Sequence, residues 1–159
     1  MYRVFLSYNA NTTRDEMVAV WRLQTLAAAS GLQLYVPTPV QRSDWNAITR
    51  MIDDADSVIA FLTKRATPQV KKELQYALIR KKLVIPIVEK DTFASPIGPL
   101  LQQSGHRPFE LDTQKPWEME QELAKFLREK KVHKEDRESI LALAGAFIGL
   151  YLLQQLTES

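Results

Sequence analysis

Three consecutive stretches decide the fold class. They are Ser57-Val58-Ile59-Ala60-Phe61-Leu62, then Thr67-Pro68-Gln69-Val70-Lys71-Lys72-Glu73-Leu74-Gln75-Tyr76-Ala77-Leu78, then Leu83-Val84-Ile85-Pro86-Ile87-Val88. Val58 to Leu62 is uninterrupted by polar residues, as expected of a strand buried on both faces. Thr67 and Pro68 read as an N-cap and first helical position, and the helix they open continues to about Lys81. Leu83 to Val88 is again a short apolar run of strand length. A strand, a helix and a strand in such close succession make a parallel βαβ unit, and its crossover is right-handed.

The rest of the chain extends this unit. Upstream, Tyr2 to Ser7 is a strand rich in aromatic and β-branched residues. Thr13 to Ser30 is helical, with Val18, Trp21, Leu23, Leu26 and Ala29 at helical spacing and Gly31 as its stop. Leu32 to Val36 is a strand ended by Pro37 and Pro39, and Ser43 caps a helix running to about Ala55. Downstream, residues 90–106 form a loop, Arg107 to Leu111 is a short edge strand weakened by Pro108, and Trp117 to Lys131 is a helix. Strands alternating with helices give an α/β fold with a doubly wound parallel sheet, five strands in the order 2-1-3-4-5. Ligands of such sheets sit beyond the carboxyl ends of the strands where the order reverses, here between the first and third strands. The expected lining is Ser7, Tyr8 and Asn9 on one side, and Thr63 with the helix from Thr67 on the other.

Composition excludes several chemistries. The chain has 159 residues and no cysteine, so it has neither disulfides nor a cysteine nucleophile. Two histidines, His106 and His133, cannot form a three-histidine zinc site, and no metal centre is expected. Five glycines include neither GxGxxG nor GxxxxGK[ST], so no dinucleotide cofactor is cradled in the usual way. The net charge of +2 does not call for nucleic acid. The opening from Met1 enters an apolar strand with no cleavage signal, which reads as a cytoplasmic start.

One carboxylate stands out on the helix after the third strand. At 100° per residue, Val70, Leu74, Ala77 and Leu78 form the inward stripe, while Lys72, Gln75 and Ile79 point away. Glu73 falls on the shoulder of the stripe and leans toward the crevice. A half-buried carboxylate there can hold ribose hydroxyls or stabilise positive charge at an anomeric carbon. Set against that, a helix glutamate is commonly just solvated.

Four blocks in this order and spacing, Arg3-Val4-Phe5-Leu6-Ser7-Tyr8, Asp56 to Thr63, Gln69 to Ala77, and Leu83 to Ile87, resemble the signature blocks of TIR domains of the bacterial type, over roughly residues 2–130. The resemblance implies a flavodoxin-like sheet. It also implies one of two ways of working: self-association as an interaction module, or cleavage of the nicotinamide N-glycosidic bond of NAD by hydrolysis, cyclisation or ADP-ribosyl transfer. It places the catalytic glutamate at Glu73, although Thr67-Pro68-Gln69 replaces the Ser or Cys and Trp common before that helix. It implies that Ser7, Tyr8, Asn9 and Thr63 line a substrate pocket. Pro37 to Asp44, with Thr38, would be a gating and assembly loop, and Trp45 is either a stacking partner for a base or nicotinamide or a core-anchoring aromatic. NAD is then a substrate rather than a cofactor, and self-assembly, antiphage defence or cell death, and an effector protein encoded nearby are what the resemblance adds. A non-enzymatic TIR scaffold, with Ile79 on its surface, and a nucleoside deoxyribosyltransferase-like enzyme are the alternatives.

Residues 64–90 carry Lys64, Arg65, Lys71, Lys72, Arg80, Lys81, Lys82 and Lys90 against Glu73 and Glu89. This excess favours a phosphate-bearing ligand; without interleaved aromatics it does not suggest nucleic acid. Taken singly, Lys72 and Lys82 read as solvated. The domain is expected to span 1–132, with 133–159 a separate hydrophobic helix. Ile140 to Leu153 has no charge and is apolar all round, but spans about 21 Å against a hydrocarbon core of about 30 Å. Three readings stand for residues 140–156: an oligomerisation helix through the Gly145/Gly149 face, a short membrane anchor, or a helix folded back on its own domain.

Overall fold

The computed structural model describes residues 2–8, 24, 25, 27–29, 31–62, 68–89, 109–111 and 115–158. Its elements are β1 (Tyr2–Tyr8), β2 (Leu32–Tyr35), α1 (Pro39–Arg42), α2 (Trp45–Asp54), β3 (Ser57–Leu62), α3 (Pro68–Ile79), β4 (Leu83–Glu89), β5 (Phe109–Leu111), α4 (Pro116–Glu129) and α5 (Lys134–Glu158). The strands form one all-parallel sheet in the order β2-β1-β3-β4-β5, the flavodoxin-like arrangement expected from the sequence. β1 pairs with β3 from Val4↔Ser57 to Tyr8↔Phe61, and β3 with β4 from Ser57↔Leu83 to Leu62↔Val88. The carboxyl ends of β1 and β3 therefore finish side by side, and the order reverses between them.

The described residues group into two compact units. One holds those within 3–11 and 34–110, and its core is built by alternation. Phe5 on β1 and Val58 and Ala60 on β3 pack with Ile48 and Ile52 of α2 and with Val70, Leu74 and Ala77 of α3. Successive strand residues face opposite sides, so Ser7 lies on the same face as Phe5 and follows it toward the strand end. At the other end of β3, the buried Ser57 hydroxyl has no hydrogen-bond partner among the described residues.

Helix ends refine the sequence reading. α2 is capped by Asp44, not Ser43. The Asp44 carboxylate accepts from the backbone N–H of Asn46 at 3.1 Å and of Ala47 at 3.4 Å. Ser43 is spent on the preceding turn, its hydroxyl donating to the Val40 carbonyl. A carboxylate also matches the positive end of the helix dipole better than a hydroxyl does. α3 ends at Ile79, short of Lys81, because Lys81 turns left-handed (φ 58°) and the Lys82 N–H closes on the Ala77 carbonyl at 2.9 Å. Gly31 has φ 82°, a conformation that suits glycine, and its N–H bonds to the Ala28 carbonyl. Of the expected helix from Thr13 to Ser30, residues 24, 25 and 27–29 are described and helical. The loop of 90–106, with His106, lies outside the described residues, as do Arg107 and Pro108 of the expected edge strand.

The seam between α2 and α3 is polar and closed. Tyr76 donates to both Asp53 carboxylate oxygens at 3.0 and 2.9 Å, and Arg80 Nε lies 2.8 Å from Asp53 Oδ1. Burial, then the hydrogen bond to Asp53, pushes the Tyr76 hydroxyl above its ordinary range. Lys82 Nζ donates to the carbonyls of Asp53 and Ala55, each at 2.8 Å, so it binds the end of α2 rather than standing solvated. Those carbonyls carry the negative end of the helix dipole. Lys82→Met keeps the stem and removes both charge-assisted bonds. We expect a loss of about 1–3 kcal/mol in urea unfolding, and an unchanged midpoint would show that the ammonium does not hold α2.

The second unit contains α4 and α5, which pack on one another. The turn between them is left-handed at Lys131 (φ 58°), with the Val132 N–H closing on the Leu127 carbonyl at 3.1 Å. Ile140, Leu143 and Ala144 of α5 are buried, which supports the folded-back reading for the first half of the apolar segment. Among the described residues no helix is long and apolar enough to cross a membrane, so the membrane-anchor reading of 140–156 finds no support.

Candidate functional site

The site is built where β1 and α3 meet. The inward stripe of α3 is Val70, Glu73, Leu74 and Ala77, spaced i, i+3, i+4 and i+7. Glu73 thus stands in the stripe itself, not on its shoulder, and is 4% exposed. The solvated alternative does not hold for it. Leu78, expected inside, is partly buried, and Ile79 is 71% exposed as its position on the wheel required.

A buried carboxyl needs partners. Ser7 Oγ donates to Glu73 Oε1 at 2.9 Å, joining β1 to α3 across 66 positions of sequence. Gln69 Nε2, one turn before, donates to Oε2 at 3.5 Å. Burial pushes the Glu73 carboxyl up to about 7, opposed by the Ser7 bond, the positive charge of Arg42 and the Gln69 bond, in falling order. The carboxyl can therefore change protonation near neutral pH, and it sits at the carboxyl end of a sheet that reverses its order beside it. Raised pKa values from burial together with a specific set of partners are typical of functional sites.

Arg42 and Tyr8 lie next to this pair. The guanidinium carbon of Arg42 stands 4.4 Å from the centre of the Tyr8 ring. Thr38 lies in a capping box that opens α1. Its Oγ1 accepts from the Gln41 N–H at 3.2 Å, and its own N–H donates to Gln41 Oε1 at 2.9 Å. The segment of Pro37 to Asp44, read as loop, therefore contains one helical turn. Trp45 packs partly buried against the core, edge-on to Tyr76 at 5.8 Å, with Lys72 Nζ 4.0 Å from the centre of its ring. This is the arrangement of an anchoring aromatic, and it ties Lys72 as well. Asn9, Thr63 and Thr67 lie outside the described residues, as do Lys64, Arg65 and Lys90 of the basic cluster. Of the remaining basic side chains there, Lys72, Arg80 and Lys82 have partners in the protein. Among the described residues no three His, Asp or Glu side chains converge as metal ligands.

Comparison with protein families matches residues 4–127 to the TIR domain. The chain belongs to the TIR-domain family. The match runs from Val4 within β1 to Leu127 in the last turn of α4 and stops before α5. A comparison with curated proteins finds no match. Within this TIR domain, Ser7 and Glu73 are brought together, and Tyr8 is in contact with Arg42; Arg42 and Gln69 were not anticipated. Gln69 stands four residues before Glu73, and that spacing is the signal that could have revealed it. No local pattern marks Arg42, because a helix of four residues has no periodicity to read.

Proposed function

We propose that this TIR domain consumes NAD by breaking its nicotinamide N-glycosidic bond, with Glu73 as the catalytic residue. The observation that supports the reading is the Glu73 carboxyl, buried at the switch point and held by Ser7. NAD carries a positive charge on its nicotinamide ring. As the bond from that ring to ribose C1′ breaks, the electron pair stays with nitrogen, nicotinamide leaves neutral, and the charge passes to an oxocarbenium-like ribose. No general acid is required. An ionised carboxylate beside C1′ stabilises this charge, and more strongly in a buried site than in water. Water attacking C1′ gives ADP-ribose and a proton, so that NAD and water yield nicotinamide, ADP-ribose and H⁺. A nucleophilic nitrogen of the adenine in place of water gives a cyclic product.

The reading extends to activity on self-assembly and to a role in antiphage defence or cell death. The test is to incubate concentrated protein with NAD and follow nicotinamide by chromatography. Stoichiometric release is the expected result, and no release at any protein concentration, including after forced clustering, overturns it. The reaction needs Glu73 ionised, which sets its pH dependence. With a carboxyl titrating at about 7 in the free protein, kcat/KM falls about tenfold per unit below that pH and is flat above it. The kcat profile lies at lower pH, because a bound cationic ring favours the carboxylate. A kcat/KM that is constant from pH 5 to 8 would remove Glu73 from the ionised role.

A scaffold reading is favoured by two exposed aliphatic side chains, Val40 on α1 at 81% and Ile79 on α3 at 71%. Sedimentation of wild type against a Val40→Asp, Ile79→Asp double variant measures it. Loss of assembly without loss of NAD cleavage assigns those side chains to assembly alone.

A further inference from the structure

Besides its pyrophosphate, the substrate proposed above carries a planar cationic ring that neutral nucleosides lack. A planar cation already lies beside the site. Arg42 ends α1 and places its guanidinium over the Tyr8 ring, 4.4 Å from the centroid. Tyr8 directly follows Ser7, whose hydroxyl holds Glu73, and leaves the end of β1 from the opposite face; Arg42 links the two, with its guanidinium on the Tyr8 ring and its charge acting on the Glu73 carboxyl. The negative face of an aromatic ring attracts a delocalised cation, and a pyridinium ring is drawn to such a face by the same force as a guanidinium. One face of one ring cannot take both.

The element that carries Arg42 is closed on itself. The Arg42 N–H bonds to the Thr38 carbonyl at 3.0 Å, and Thr38 and Gln41 satisfy each other through the capping box. The Ser43 N–H and hydroxyl both return to the Val40 carbonyl. Asp44 then turns to cap α2. Among the described residues, the hydrogen bonds of residues 38–43 stay within residues 38–44, and the stack of Arg42 on Tyr8 ties this turn to β1. Val40 beside it is largely in solvent. Breaking the stack costs the turn none of those hydrogen bonds.

We propose that Arg42 is a resident stand-in for the cationic ring of the substrate, holding the Tyr8 face in the free protein and yielding it when a pyridinium ring enters. The proposal rests on the NAD reading of the site and adds the residue that recognises the cation, Tyr8, and the one that regulates access to it, Arg42. A ligand that must displace a resident group binds with the affinity of the open state reduced by the fraction of protein that is open. In the free protein the positive charge of Arg42 also holds the Glu73 carboxyl lower than burial alone would. When Arg42 leaves, the incoming ring, bonded to the carbon that faces Glu73, more than replaces that charge.

Two probes separate charge from shape. 1-Methylnicotinamide is a pyridinium cation, and nicotinamide has the same ring without the charge. Their binding to wild type, Arg42→Ala, Arg42→Lys and the double variant Arg42→Ala, Tyr8→Leu is measured by calorimetry. We expect Arg42→Ala to bind the cation about fivefold tighter than wild type, neutral nicotinamide to change less than about twofold, and the double variant to lose the gain. Arg42→Lys, which keeps charge but not the plane, falls between. In turnover at pH 9, well above the titration of Glu73, Arg42→Ala lowers KM for NAD by a similar factor. The proposal is overturned if Arg42→Ala binds 1-methylnicotinamide no tighter than wild type, absence of binding in both included, or if its KM for NAD rises, as it would for an arginine that grips phosphate. Should no variant cleave NAD, the enzymatic reading fails, while the binding measurements still decide the role of Arg42.

Discussion

Glu73→Gln is expected to abolish NAD cleavage while making the folded protein more stable above pH 7. The activity loss comes from removing the charge that faces the oxocarbenium-like ribose. Removing a single preorganised electrostatic partner commonly costs about 10²- to 10³-fold. Because the proposed role of the carboxylate is to face the charge directly at the reacting carbon, the loss belongs at the upper end. The gain in stability follows from the raised pKa. A carboxyl at about 7 in the fold and near 4.5 when unfolded binds more protons folded than unfolded between those values. Stability therefore falls as pH rises through that window and stays low above it, by about 3 kcal/mol at most. Glutamine has the same shape, keeps an oxygen to accept from Ser7, and is never ionised. Urea unfolding at pH 8 should show the variant more stable by about 1–3 kcal/mol, and at pH 4 the difference should vanish. A residue whose replacement improves the fold and destroys the reaction is present for the reaction. Equal stability of the two proteins at pH 8 would mean that the carboxylate is not desolvated, and the electrostatic argument would lose its basis.

Phe5→Ala is expected to cost about 3–5 kcal/mol, a large share of the stability of a domain of this size. Phe5 is fully buried and packs with residues of α2, β3 and α3. It also lies two residues before Ser7 on the same face of β1, so the packing that fixes Phe5 fixes the hydroxyl that holds Glu73. Urea denaturation should show a strongly lowered midpoint. Below that midpoint, NAD cleavage should fall more than the folded fraction does, because loosened β1 no longer sets the distance from Ser7 to Glu73. The control is Val40→Ala on the surface, with an effect within about 0.5 kcal/mol. A Phe5→Ala midpoint close to wild type would contradict the core described here.

The parts of this structure that sequence could reveal are those written in local pattern. β3 and β4 were legible because an apolar run of strand length between helix signals has one good interpretation, and the strand order is the commonest one for a doubly wound sheet of five strands. Glu73 was legible because the 3.6-residue period placed it against the stripe; its full burial was not, because the wheel does not contain Ser7, 66 positions away. Partners distant in sequence account for most of what was missed. Lys82 reads as a surface lysine until the end of α2 is found beneath its ammonium. Lys72 pairs with Trp45 of another helix. Ser43 and Asp44 are equally good caps on paper, and the choice between them is made by the turn that uses up the Ser43 hydroxyl. For α5, an apolar surface all round carries no direction, so no periodicity could say that Ile140, Leu143 and Ala144 face inward.

The most direct measurement is mass spectrometry of NAD incubated in ¹⁸O-water with wild type and with Glu73→Gln, both confirmed folded. The account predicts that wild type yields one nicotinamide for each NAD lost, together with ADP-ribose carrying the heavy oxygen or a cyclic product lacking it, and that Glu73→Gln leaves NAD intact. Intact NAD with both proteins at high concentration, or equal cleavage by both, would contradict it.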